Sequence, residues 1–422
     1  LEKPSVFLIP IASMIHVERV PGPIIRARAL LDDAGLTVYG PRRPIRKIEE
    51  FPSTKSEEFD SVVIFVASGG IGGMISQLVS NKKWFLWAYH ENNSLPSALS
   101  AREKMMAEKA WKGELVYNNL SEAPKEIVAE AFATKTLKVI RSSKIGFAAD
   151  DEEFREVDDV IKFLKGFFGL DTVLIPIEKL RSTLKSVPKE AAQQVVKDRL
   201  KQAEILESSS EDIEKSVKLY LALKSFVEEM NLNGVTIDCF KFLKQTGITP
   251  CLAMSFLNDD GVQGICEADL LAAPLMLIFN ALTGNPPWIA NTGKLDQING
   301  LLTLAHCTAA TKLCEPAGVI RVRHHFESGM GASLDVPLKK GKVTLAHLSL
   351  NPPNMVIVNG EITESQMGHW KLCRTQADVK LNCNLDEFLQ KSGNHQILGY
   401  GDYAPILVRI ADKLNIKYTF LK

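Results

Sequence analysis

The sequence predicts a mixed α/β protein: two doubly wound parallel-sheet domains, residues 1–135 and 136–284, followed by a β-rich C-terminal domain, residues 285–422. Three observations lead there. Near-continuous apolar runs alternate with helical patterns through the first third, as a parallel sheet covered on both faces requires. The same alternation begins again near residue 138. From 285 onward Gly and Pro punctuate short strands with little helical pattern between them.

Taken in order, Val6–Pro10 reads as a strand, Pro23–Ala34 as a helix, Val62–Ala67 as a strand, Met74–Val79 as a helix and Trp84–Ala88 as a strand. The second domain opens with strands at Lys138–Ile140 and Lys144–Ala148, a helix from Glu152 to Phe168 and a strand at Thr172–Pro176. The acidic run Asp150–Glu153 stands at that helix start, where it complements the helix dipole. Residues 189–230 are helical in composition, broken at Ser208–Ser210, where Ser210 ahead of Glu211 and Asp212 is placed to cap a new helix. Strands at Gly234–Cys239 and Gly264–Cys266 lead into an apolar helix starting near Ala268. The last domain's strands are read at Leu301–Ala305, Val319–Arg323, Lys342–Ala346 and Asn354–Val358.

Composition narrows the function classes. Lys plus Arg and Asp plus Glu both number 50, so there is no basic excess to neutralise a nucleic-acid backbone. With 45% hydrophobic and 24% charged residues the chain has the make-up of a folded globular protein. The longest apolar run, Leu270–Leu282, is interrupted by Pro274 and Asn280 and is shorter than the roughly 20 residues of a membrane-spanning helix. Seven cysteines without a C-x-x-C pair point to free thiols in a reducing compartment. No secretory signal is read at the start. The expected setting is therefore cytoplasmic, with no nucleic acid and no membrane as partner.

Two regions hold groups suited to chemistry. Ser68–Gly73 follows a strand and precedes a helix, so it is either a tight turn or a loop approaching a polar ligand. Glu267 and Asp269 stand at the carboxyl end of a strand, where open α/β sheets bind ligands, although a carboxylate at a helix start also serves as a cap. Downstream come Asn291, His306, the pair His324–His325 and His395, the first and last of these histidines beside small or turn-forming residues.

These residues resemble the L-fucose and L-arabinose isomerase superfamily, especially its fucose-isomerase-like members. The likeness is carried by Thr249-Pro-Cys-Leu-Ala253, Cys266-Glu-Ala-Asp269, Leu304-Ala-His-Cys-Thr308, His325-Phe-Glu-Ser-Gly329 and Asn394-His-Gln-Ile-Leu-Gly-Tyr-Gly-Asp-Tyr403. The resemblance implies an aldose–ketose isomerase that uses Mn²⁺ or another divalent metal, works through an ene-diol and forms a homo-oligomer. It implies Glu267 as metal ligand and base, and His395 and His306 as further ligands. Asn291 stands 24 residues after Glu267, where the family carries its second carboxylate. That is a departure: an amide oxygen can bind a metal, but it does not titrate. Either the second proton transfer then falls to Asp269, a histidine or water, or the chemistry differs from the family's.

Chemically, a cation holding O1 and O2 of an open-chain sugar stabilises an ene-diolate while a carboxylate moves the carbon-bound proton. The expectation is a metal-dependent sugar isomerase with catalytic Glu267, Asn291 and Asp269, and metal ligands Glu267, Asn291, His306 and His395. The alternatives are a sugar- or sugar-phosphate-binding relative without turnover, or another metal-dependent carbohydrate enzyme.

Overall fold

The computed structural model describes residues 2–15, 18–51, 58–75 and 84–422. The chain is mixed α/β and divides into two compact units, Leu1–Lys135 and Thr136–Lys422.

In the first unit, β1 (Ser5–Ile11), α1 (Pro21–Asp33), β2 (Thr37–Tyr39), β3 (Ser61–Val66), α2 (Gly72–Ile75), β4 (Phe85–Tyr89), α3 (Ser94–Ala107), β5 (Glu114–Asn118) and α4 (Lys125–Arg141) follow one another. The described strands form a parallel sheet in the order β2-β1-β3-β4-β5. Alternate residues of β1 serve two cores: Val6 and Leu8 pack with Ile24, Leu31 and Ile127, while Phe7 and Ile9 pack with Ala98 and Met105. Burial on both faces is why the strand is apolar throughout. Each such side chain contributes ~1.5–3 kcal/mol.

Of the helix expected over Met74–Val79, the part beyond Ile75 lies outside the described residues. Ser68–Gly73 makes a tight turn from β3 into α2. The Gly69 N–H donates to Asn92 O, the Ile71 N–H donates to Ser97 Oγ, and a Cβ on Gly69 would lie 2.7 Å from Asn93 Cβ. Close approach of two loops therefore accounts for a glycine at position 69.

In the second unit, β6 (Lys144–Ala149), α5 (Asp151–Glu156), α6 (Asp158–Phe163), β7 (Asp171–Pro176), α7 (Ile177–Ser186), α8 (Lys189–Arg199), β8 (Glu204–Ile205), α9 (Ser210–Met230), β9 (Gly234–Ile237), α10 (Cys239–Thr246), α11 (Cys251–Asp259), β10 (Gln263–Ile265) and α12 (Ala272–Thr283) come first. Next are β11 (Trp288–Asp296), β12 (Leu301–His306), β13 (Arg321–Arg323), β14 (Ser333–Asp335), β15 (Gly341–Leu350), β16 (Pro353–Ser365), β17 (Thr375–Leu381), α13 (Leu385–Lys391), β18 (His395–Tyr400), α14 (Ala404–Leu414) and β19 (Lys417–Leu421).

A parallel sheet, β10-β9-β6-β7, adjoins a larger sheet in the order β15-β18-β11-β12-β17-β16-β19. The larger sheet is antiparallel except where β19 runs parallel to β16, and pairing of β15 with β16 closes it into a barrel-like ring. One hydrophobic core runs through both sheets, from Ile175 and Ile237 past Leu252 and Phe256 of α11 to Leu304 and Leu398.

Several local expectations are corrected. Lys138–Ile140 is helix, not strand. Ala133, Leu137 and Ile140 are buried at helical spacing, so α4 continues to Arg141. The helix cap is Ser209 rather than Ser210, its Oγ accepting the Asp212 N–H at 3.0 Å. The stretch Glu152–Phe168 divides into α5, α6 and a wide helical turn over Leu164–Phe168. The apolar helix begins at Ala272, because Glu267 and Ala268 take left-handed backbone angles incompatible with helix. The acidic run stands at a helix start as read, and Asp150 there forms a capping box: it accepts the Glu152 and Glu153 N–H groups while Glu153 Oε2 accepts the Asp150 N–H.

Candidate active site

The site forms where the carboxyl end of the parallel sheet meets the antiparallel one. β9 and β10 lie side by side, and just past β10 the chain makes a turn through Glu267 (φ 58°) and Ala268 (φ 53°). Two consecutive left-handed residues without glycine cost roughly 1–2 kcal/mol each. The turn is held by the Ala268 N–H donating to Ile237 O at 3.0 Å and by the Glu267 N–H donating to Cys239 Sγ at 3.4 Å. Cys239 Sγ itself stands 3.2 Å from Cys266 Sγ.

The antiparallel sheet supplies the remaining groups. Asn291 on β11 is directly opposite His395 on β18 and Ala305 on β12, and His306 ends β12. The start of β18 is anchored by His395 O bonded to His347 Nδ1 at 2.9 Å. A Cβ on Gly393 would lie 2.3 Å from the His347 ring, so this anchor needs glycine there.

Glu267 bridges the two histidines. Its Oε1 is 3.7 Å from His306 Nε2 and its Oε2 is 3.6 Å from His395 Nε2, although 128 positions separate Glu267 from His395. The two imidazole rings are 5.5 Å apart, centre to centre. His306 holds the Glu267 carboxyl below its ordinary range against the opposing pull of burial, and His395 adds to the effect. His395 Nδ1 donates to Asp269 Oδ2 at 2.8 Å. Burial lowers the His395 pKa, but that bond and the charges of Asp269 and Glu267 outweigh it, so the net shift is upward. With its proton on Nδ1, His395 presents a lone pair on Nε2. His306 Nδ1 is bonded to Thr308 Oγ1 at 3.0 Å.

Three buried atoms at this site, Asn291 Oδ1, His306 Nε2 and His395 Nε2, have no hydrogen-bond partner among the described residues. Such orphans are rare in a folded core. All three can donate a lone pair, and a carboxylate lies between two of them. The atoms on either side of each 3.6–3.7 Å gap are spaced as two ligands of one ion, each at ~2.0–2.6 Å, would be. Together with Glu267 the set offers oxygen and imidazole nitrogen, which suits a hard or borderline divalent cation. Cys266 Sγ also lies within 4.8 Å of Glu267 and His306 ligand atoms.

Glu267 and Asn291 line a cavity of about 350 Å³, together with Phe240, Phe326, Glu327 and Cys373 among others. Asp269 faces His395 and caps the start of α12, its Oδ1 accepting the Ala272 N–H at 3.2 Å. His324 and His325 serve a neighbouring loop, with His325 Nδ1 bonded to Ser328 Oγ at 3.0 Å. Sequence reasoning missed Glu327 and Cys373 as cavity residues. The His325–Gly329 segment that contains Glu327 carried the family likeness, and that was the signal available. All seven cysteines are free, and no described helix is long and apolar enough to cross a membrane.

No protein-family model matches the chain. It is 25% identical over 239 residues to a sulfoquinovose isomerase of Alkalicoccus urumqiensis, covering 54% of this chain and 52% of that protein. It is 24% identical over 212 residues to a sulfoquinovose isomerase of Clostridium sp. (strain MSTE9), covering 48% and 47%. The chain thus spans about half the length of the curated relatives it matches. What it is similar to are sugar isomerases, and these matches do not single out the L-fucose and L-arabinose superfamily.

Proposed function

We propose that this protein is a metal-dependent aldose–ketose sugar isomerase of the L-fucose and L-arabinose isomerase type, working through an ene-diol. The observation that carries the reading is the Glu267 carboxylate set 3.6–3.7 Å from the partnerless Nε2 atoms of His306 and His395, with Asn291, whose buried Oδ1 is also partnerless, lining the same cavity as Glu267. Similarity to two sulfoquinovose isomerases supports the reaction class.

Glu267, Asn291, His306 and His395 would hold the cation, with Mn²⁺ the choice that fits their oxygen and nitrogen donors. When bound, such a cation polarises the carbonyl and stabilises negative charge on neighbouring sugar oxygens. Glu267, kept ionised by the two imidazoles, is the base that takes the proton from C2 and returns it to C1. Asp269 orients the His395 ring through Nδ1, so its catalytic part is indirect. The cavity wall carries the carboxylates Glu267 and Glu327 and the aromatic faces of Phe240 and Phe326, a lining for the neutral polyhydroxy end of a sugar. Assembly as a homo-oligomer in a reducing, cytoplasmic setting belongs to the same reading.

A second reading, a sugar-binding relative without turnover, rests on Asn291 standing where a titrating carboxylate is expected. One experiment separates them. The purified protein is analysed for metal, then assayed with and without Mn²⁺ on a panel of aldoses and ketoses that includes sulfoquinovose. Metal-stimulated interconversion of any pair is expected. Sugar binding without interconversion, at any metal level, overturns the isomerase in favour of the binding protein.

A further inference from the structure

An ene-diol isomerisation moves two protons, one between carbons and one between oxygens, and Glu267 accounts for the first alone. Asn291 cannot take the second, because an amide side chain does not exchange protons in the working pH range. Asp269 is committed to His395. The cavity nevertheless holds another carboxylate, Glu327, which lines it together with Glu267 and Asn291.

Glu327 sits in the loop between β13 and β14, and its neighbours keep that loop in shape. The His325 N–H donates to Met330 O at 2.9 Å, the Gly329 N–H donates to His325 O at 2.9 Å, and Ser328 Oγ bonds His325 Nδ1. The His325 ring stands edge-on to Phe240, whose side chain forms another part of the cavity wall. The Arg374 guanidinium lies 5.8 Å from the Phe326 ring and is fixed by donating to His324 O and Glu207 Oε2 at 2.8 and 3.1 Å. Cys373, next in the wall, has its thiol pushed up by Cys307 and by burial, and both Glu327 and Glu267 add to the shift. Glu267, Glu327 and Cys373 therefore line one cavity.

We propose that Glu327 is the second acid/base group of the site, doing the work that Asn291 cannot. The assignment rests on the isomerase reading above. As Glu267 takes the C2 proton, the C2–H bond breaks, its electron pair forms the C1–C2 double bond and the carbonyl pair moves onto O1. Glu327 then removes the O2 proton and delivers it to O1. The O2 pair forms the new carbonyl at C2, and C1 receives the proton held by Glu267. Both carboxylates end ionised as they began, and no oxidant or reductant is consumed.

The test compares the wild type with Glu327→Gln, a near-isosteric change at an exposed position, measuring kcat, KM and Mn²⁺ affinity on whichever aldose the wild type converts. The expected result is a kcat lower by about 10²–10⁴-fold, with KM and Mn²⁺ affinity within about threefold of wild type. A kcat within threefold of wild type overturns the assignment. So does a change confined to KM or to Mn²⁺ affinity, which would make Glu327 a binding residue or ligand. A wild type that isomerises no aldose overturns the isomerase reading and this assignment with it. An active wild type with an equally active variant overturns the assignment alone.

Discussion

Glu267 combines a left-handed backbone, a half-buried carboxylate and two imidazoles within 3.7 Å. Strain at such a residue persists only where the surroundings over-determine it, here through the bonds from Ala268 N–H to Ile237 O and from Glu267 N–H to Cys239 Sγ. Under the proposed mechanism, Glu267→Gln keeps the shape and removes the base. Turnover is expected to fall at least ~10²–10⁴-fold with an unchanged far-ultraviolet circular dichroism spectrum. Activity within a few-fold of wild type would remove Glu267 from the mechanism. Asn291 poses the complementary question, since its Oδ1 is buried without a partner opposite His395. Asn291→Asp adds one negative charge at nearly constant volume and is expected to tighten Mn²⁺ about tenfold, ~1.4 kcal/mol, in a calorimetric titration. An unaltered affinity would place position 291 outside the ligand set.

At the scale of elements, the small sheet β14-β13-β8 holds a charged cluster behind the loop of Glu327. Arg323 Nη2 donates to Glu207 at 2.6 Å, while Arg323 and Arg321 stand 3.9 and 4.0 Å from Asp335 Oδ2. Burial pushes the Asp335 carboxyl up to about 6 against the pull of these arginines, and its Oδ1 has no partner. The folded state therefore keeps this proton to about pH 6, while the unfolded carboxyl loses it near ~4. In that window the native state binds more protons, so this group's contribution to stability falls as pH rises through it. Asp335→Asn should raise unfolding stability by ~1–3 kcal/mol at pH 8, and the gain should shrink toward zero near pH 4. Urea unfolding at both pH values reads this directly. An equal gain at both would trace the effect to packing rather than to the carboxyl's charge.

For the whole molecule, the four candidate ligands come from the end of a parallel strand and from three neighbouring antiparallel strands, β11, β12 and β18, within one unit and around one core. A cation binding there ties the two sheets together in the native state only. Mn²⁺ at a hundredfold excess over its Kd is expected to raise unfolding free energy by ~2.7 kcal/mol, and EDTA to reverse it. A thermal midpoint indifferent to both would mean that no such site is formed.

Read alone, the sequence determined what depends on near neighbours. Asp150 with Glu153 announced a helix start, the apolar runs 6–10 and 62–67 announced parallel strands, and the family likeness picked out Glu267, His306 and His395, which the fold sets side by side. It misread Lys138–Ile140, whose short apolar run fits strand and helix alike and whose helical state follows from burial along α4. It did not show that Asp269 meets His395 or that Glu327 lines the cavity. Those outcomes follow from side-chain direction: a left-handed turn aims Glu267 between two histidines, Asp269 turns onto His395, and the β13–β14 loop brings Glu327 to the cavity. Direction is fixed by strand register and by contacts between residues more than a hundred positions apart, and only the tertiary structure contains those.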